Sequence, residues 1–298
     1  MRRTINGDNR QMLNHGAALI IASLFSFALY SNAMAEEPRE DDSAKFQEIA
    51  QGMMGSGRGG RHGMMMRRPN DPASLKTRWP ENKQMFDALT LGGQGYDNWA
   101  KLQGKKLPTT THPAYPANGK RKGATTWRCK ECHGWDYEGV KGAYAKGSHF
   151  SGVRGITAAQ GRSPQSIARL LRGDIHGYTK EMIPDELLDD IAQFVSNGQV
   201  DARKLIDYET GRARNLSSRG HRTYRHQCAQ CHGNAGRAIN FKTKEKPEYV
   251  GTVGRKAPWE ALHKIRMGHP GSTMPSFKDL SEQTLVELLA YLQSLPAK

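Results

Sequence analysis

All four cysteines of the chain lie in two copies of one pattern, Cys129-Lys130-Glu131-Cys132-His133 and Cys228-Ala229-Gln230-Cys231-His232. Nothing else in the sequence limits the fold so sharply. On one helical turn, two thiols and the imidazole that follows can meet a flat macrocycle and its iron, and Cys-x-x-Cys-His is the attachment pattern of haem c. A zinc site would need the two cysteine pairs to converge, or to find histidines at ligand spacing. A redox-active cysteine pair would sit beside a βαβ pattern, which the sequence does not show. The motifs therefore predict two covalent haem c groups, one through Cys129 and Cys132 and one through Cys228 and Cys231. His133 and His232 are the expected iron ligands on the attached side.

A cofactor in each half also answers a deficit in composition. The 298 residues are only 37% hydrophobic with a mean hydropathy of -0.73, lean for two protein-only cores, and small domains often recruit a metal or cofactor to complete a core. The first 35 residues read as a signal peptide. Arg2, Arg3 and Arg10 precede an apolar stretch from Gly16 to Tyr30, and Ala33-Met34-Ala35 supplies a small-x-small cleavage site. That stretch is too short for a comfortable membrane span, so export to the periplasm is expected, with membrane contact only through an uncleaved N-terminus. The formal charge of +15 concerns association and steering rather than fold. In an exported protein it argues against nucleic acid and for redox protein partners with acidic docking surfaces.

Residues 36–82 lack periodicity and read as a flexible tether. Its Gly, Met and Arg tract, with Met53, Met54, Met64, Met65 and Met66 around His62, offers soft thioethers of the kind that suit Cu(I). Compositional bias alone more often marks a tether. Beyond it the chain repeats weakly. Each copy has an opening helix with glycine and tyrosine, a Cys-x-x-Cys-His, a Pro-started helix, a methionine and a terminal amphipathic helix. The Pro-started helices are Pro164 to Arg172 before Gly173, and Pro258 to Met267 before Gly268, the expected punctuation of helix ends. The terminal helices carry Leu187, Ile191, Phe194 and Val195 after Pro184-Asp185, and Leu285, Leu288, Leu289 and Leu292 after a Ser281 cap. Residues 199–215 read as a linker with room for a short helix.

The ligands on the far side of each iron are less directly written. In the second copy Met274 sits in a Gly/Pro loop, Gly268 to Pro275, 42 residues after His232, and Met/His ligation raises a haem's potential. In the first, Met182 lies 49 residues after His133 and is the expected ligand. His176 is its alternative, and His149 a weaker one. Two histidines on the first iron would generally set a lower potential and make the two haems unequal.

The second copy resembles a class I c-type cytochrome domain. The likeness is carried by Gly220 to Tyr224, Cys228 to Gly233, Trp259 to Gly268, Met274-Pro275 and a last helix bearing Tyr291. The resemblance implies that first and last helices cross, with Gly220 and Tyr224 against Leu288 and Tyr291. The first copy departs from it. Its candidate opening helix, Gly93 to Trp99, ends about thirty residues before Cys129, and a basic insert with Pro108, Pro113 and Pro116 intervenes. The insert's Lys101, Lys105, Lys106, Lys120, Arg121 and Lys122 read as a solvated loop or a docking face, and Trp127, Trp135 and Tyr137 as haem-edge packing.

The expected fold is therefore all-α, two tandem class I cytochrome c-like domains at 83–198 and 216–298 joined by residues 199–215. The resemblance implies a periplasmic diheme cytochrome that passes electrons between respiratory redox partners, a carrier rather than an enzyme. The alternative is a catalytic diheme oxidoreductase, a peroxidase or an oxidant of small sulfur compounds, with an open or labile distal site on the first haem.

Overall fold

Every regular element among the described residues is a helix, and the only β pairs among them are isolated bridges, Gly139 with Arg154 and Ile206 with Ala213. The computed structural model describes residues 80–215 and 219–297. The stretch read as a signal peptide (1–35), most of the stretch read as a tether and its Met-rich tract lie outside them. The first helix nevertheless begins at Pro80, within the range read as tether. No helix among the described residues is long and apolar enough to cross a membrane.

The first half runs α1 (Pro80–Leu102), a 3-10 turn, α2 (Cys129–His133), α3 (Pro164–Arg172) and α4 (Asp185–Gln193). The helix α4 continues into a π turn at Phe194–Gly198. After a short α5 (Ala202–Leu205), the second half runs α6 (Gly220–Gln227), α7 (Ala229–His232), α8 (Val250–Lys256), α9 (Pro258–Met267) and α10 (Glu282–Ser294). The punctuation is where the sequence placed it. Ser163 and Ser281 accept the Ser166 and Thr284 amides as caps of α3 and α10, satisfying donors that have no partner inside a helix.

One crossing recurs in both halves. In the second, α6 lies so close on α10 that a Cβ at Gly220 would stand 1.9 Å from the Glu287 carbonyl oxygen. Tyr224 packs on Tyr291 there, ring centroids 5.2 Å apart. In the first, α1 crosses α4 in the same way, and a Cβ at Gly92 would stand 2.0 Å from the Asp190 carbonyl oxygen. Only glycine permits backbones to approach so closely. The opening helix of the first copy is thus α1, with Gly92 and not Gly93 at the crossing.

The described residues lie within one compact unit, and the two halves share an aromatic core. His263 of α9 is 1% exposed and lies among Trp135, Tyr137, Tyr96 and Phe194 of the first half. Its Nε2 donates to the Gly93 carbonyl (2.9 Å), so its Nδ1 accepts from the Tyr137 hydroxyl (2.8 Å). Burial holds this imidazole's pKa down at about 4, neutral as that bonding requires. Trp135 and Tyr137, expected at a haem edge, therefore help to join the halves. The stretch read as a linker is itself packed, with Leu205 and Ile206 buried.

Candidate haem-binding sites

The two motifs are held by the same device. Tyr96, on the crossing turn of α1, donates its hydroxyl to the carbonyl of Gly134, the residue after His133 (2.7 Å). Tyr224, on the crossing turn of α6, donates to the carbonyl of Gly233, the residue after His232 (2.8 Å). In each half Gly-x-x-x-Tyr puts the glycine at the helix crossing and the tyrosine one turn along, aimed at the end of the motif helix. The spacing was readable in the sequence, but the insert between Leu102 and Cys129 concealed its partner.

Before the first motif, Arg128 pairs with Asp97 of α1 and so fixes where α2 starts. Lys264 of α9 reaches the other oxygen of the same carboxylate at 2.6 Å. Burial alone would raise the Asp97 pKa, but Lys264 and Arg128 outweigh it and hold the group well below the usual carboxylate range.

His133 turns its Nδ1 to the Arg154 carbonyl, 2.8 Å away. Near it, with ring centroids 6.3 Å apart and planes at 36°, is His176, whose Nδ1 is 3.0 Å from the Leu170 carbonyl. Each imidazole thus has one nitrogen tied to backbone and one left over, the arrangement by which proteins orient metal-ligating histidines. Two metal–imidazole bonds of about 2 Å, with the ring radii added, sum to about 6 Å. Burial lowers both pKa values, that of His133 to about 4, keeping the rings in the neutral form a metal needs.

Met182 lies half-buried against the core on the same loop as His176. Three bonds from the segment after α1 tie this loop down. His112 Nε2 donates to the His176 carbonyl (3.0 Å), Lys105 Nζ to Glu181 (2.9 Å) and Gln103 Nε2 to Met182 (3.0 Å). The insert, read as solvated loop or docking face, thus has a structural task. His112, which the sequence reading passed over, is 7% exposed and its ring sits 4.4 Å from that of Trp127. His149 is engaged elsewhere, against Glu131 (3.3 Å) and Tyr144.

In the second half, His232 is half-buried with Phe241 across it at 6.1 Å. Met274 is half-buried on the loop after α9, and the Ser276 hydroxyl and Phe277 amide bond back to the Arg266 and Ile265 carbonyls at 2.5 and 3.0 Å. The His232 Nδ1, Trp259 Nε1 and Arg266 Nε atoms are buried without a hydrogen-bond partner. The indole and guanidinium donors fit a group that carries acceptors, as a haem does on its propionates.

None of the four cysteines is in a disulfide. Burial pushes Cys129 and Cys228 up to about 11 and Cys132 to about 12, surroundings that favour an uncharged thioether over a thiolate. Among the described residues no three His, Cys, Asp or Glu side chains converge as a metal-ion site, so the cysteine pairs do not assemble the zinc alternative. The residues present fit haem c.

In the second half an all-helical segment closes around Cys228–His232 with its first and last helices crossed, as the resemblance to a c-type cytochrome domain implies. Residues 215–292 match the family described as cytochrome C oxidase, cbb3-type, subunit III. That match spans the second motif and Met274, and it assigns haem c, iron and electron transfer to this segment. No curated protein and no solved structure matches the chain.

Proposed function

We propose that the protein is an exported two-haem cytochrome c that carries electrons between redox proteins. The observation that carries this reading is the repeated lock. The same tyrosine-to-glycine bond stands behind Cys129–His133 and behind Cys228–His232, so the first motif is built like the one inside the matched segment. Cys129 and Cys132 hold one haem and Cys228 and Cys231 the other, each group supplying one-electron exchange at its iron. His133 and His232 ligate from the attached side, and Met274 completes the second iron.

For the first iron, His176 is favoured over Met182. Its ring lies at a separation from that of His133 that suits an ion between them, and its Nδ1 is oriented by a backbone carbonyl. Met/His ligation raises potential relative to two histidines. Electrons would then enter at the first haem and leave from the second. The tied-down loop supports a closed, six-coordinate first iron, and hence a carrier over the catalytic alternative. The signal peptide supports the periplasm, and the excess of basic residues supports partners with acidic docking surfaces.

The test is the reduced spectrum under carbon monoxide. Wild-type protein is expected to be unreactive, His176→Ala to bind carbon monoxide at one haem, and Met182→Ala to stay unreactive. Carbon monoxide binding by Met182→Ala with none by His176→Ala would return the ligand to Met182. Rapid binding by the wild type would favour the catalytic reading.

A further inference from the structure

The loop that carries Met274 in the second half is held by a helix of the first. Gln94 of α1 donates through Nε2 to the Met267 carbonyl at the end of α9, 2.9 Å away. Carbonyls in a helix's last turn have no partner within the helix, and this amide supplies one where the chain leaves α9 for the loop. Thr90, one turn earlier on α1, donates to the Ser276 hydroxyl at 3.2 Å. Two bonds from one face of α1 thus bracket residues 268–275. Lys101 Nζ reaches His269 Nε2 within the same stretch, at 2.8 Å. Gly268 has φ +78°, and a Cβ there would stand 2.6 Å from the Met274 carbonyl oxygen and 3.1 Å from Gln94 Nε2. The start of the loop, Met274 and the Gln94 amide are therefore packed on one another.

A methionine is a neutral ligand on a long, rotatable side chain. Its hold on an iron depends on how well the backbone beneath it is fixed, as with any group whose effectiveness rests on prepaid orientation. We propose that Gln94 is a positioning residue for Met274, so that a side chain of the first half sets the ligation of the second haem. This rests on the reading above that Met274 ligates that iron. It also gives the shared helix a function: α1 braces the second haem's ligand loop through Thr90 and Gln94, while the segment just after it braces the first haem's loop through Gln103.

The experiment compares Gln94→Leu, Met274→Ala and wild-type holoprotein. The readouts are the weak long-wavelength absorption band of Met-ligated ferric haem and carbon monoxide binding by the ferrous protein. Gln94→Leu is expected to lose half or more of the band and to admit carbon monoxide at the second haem, with two haems still attached and the first unchanged. A full band and no carbon monoxide binding in Gln94→Leu, where Met274→Ala has lost the band, overturns the positioning role alone. A band that survives in Met274→Ala overturns Met274 as the ligand. If Gln94→Leu yields no holoprotein, Thr90→Val, which removes one hydroxyl, decides by the same readouts. A partial loss of the band supports the brace, and no change rejects it.

Discussion

Asp97 shows how much one residue can be asked to do. Its side chain is 1% exposed, paired with Arg128 at the mouth of the first motif and with Lys264 from the second half. Because its folded pKa lies below the ordinary carboxylate value of about 3.9, ionised Asp97 stabilises the fold above that pH. The contribution fades as pH falls below it and the folded group takes up its proton. Asp97→Asn keeps the shape but removes the counter-charge that Arg128 and Lys264 share, leaving Lys264 with Glu260 at 3.9 Å. Breaking a buried pair in this way costs about 3–5 kcal/mol, with the low end expected because both cations reach some water. Denaturant unfolding of the variant should show about 3 kcal/mol lost at pH 7, and a shallower decline in stability below about pH 4 than in the wild type. An unchanged midpoint would mean that the carboxylate is not the junction described.

At the scale of elements, the fold depends on two helix crossings, each closed by a glycine. At Gly220 an added methyl would overlap the Glu287 carbonyl, and at Gly92 that of Asp190. Neither neighbour is a flexible side chain that could move aside, so the helices themselves must separate. Overpacking of this kind costs about 1–3 kcal/mol. Separation would also draw Tyr224 or Tyr96 away from the glycine carbonyl behind its motif. Gly220→Ala and Gly92→Ala should each lower thermal stability, the first disturbing chiefly the second haem's spectrum and the second that of the first haem. Loss confined to the same haem in both variants would contradict the parallel between the crossings. The helix α1 is itself broken one turn before its end. Asn98 has non-helical angles, φ -159° and ψ 88°, and its Oδ1 accepts the Lys101 amide at 3.0 Å, restarting the last turn as a cap residue would. Trp99 then points its Nε1 at the Trp127 carbonyl (2.9 Å), anchoring the approach to the first motif.

At the scale of the molecule, the halves do not behave as beads on a linker. His263, Tyr137 and Gly93 form a bonded series across their junction, and Asp97 adds an ionic one. Replacing Cys228 and Cys231 by alanine should leave one haem by mass, on the first motif. Because the core is shared, that remaining haem should melt at a lower temperature than in the wild type. Two haems by mass would refute the attachment, and an unshifted melt would show the halves to be independent.

The chemistry was legible in the sequence because it is local. Two thiols and an imidazole on one helical turn need only five consecutive residues, so the motifs, the Pro and Gly helix ends, the Ser caps and the leucine stripe of α10 could be read without a fold. The Gly220–Tyr224 crossing with Leu288 and Tyr291 came from the resemblance to a class I c-type cytochrome domain, which the second copy carries because its motif follows Tyr224 within four residues. Tertiary structure alone decided what depends on residues distant in the chain. It made Gly92 and Tyr96 the counterparts of Gly220 and Tyr224 across the long insert, and it brought the His176 ring to 6.3 Å from that of His133. It also set Gln94 beneath the Met274 loop of the other half. Periodicity reports which face of a helix is apolar, but not which distant loop that face will meet, because long-range contacts are selected by the packing of the whole core.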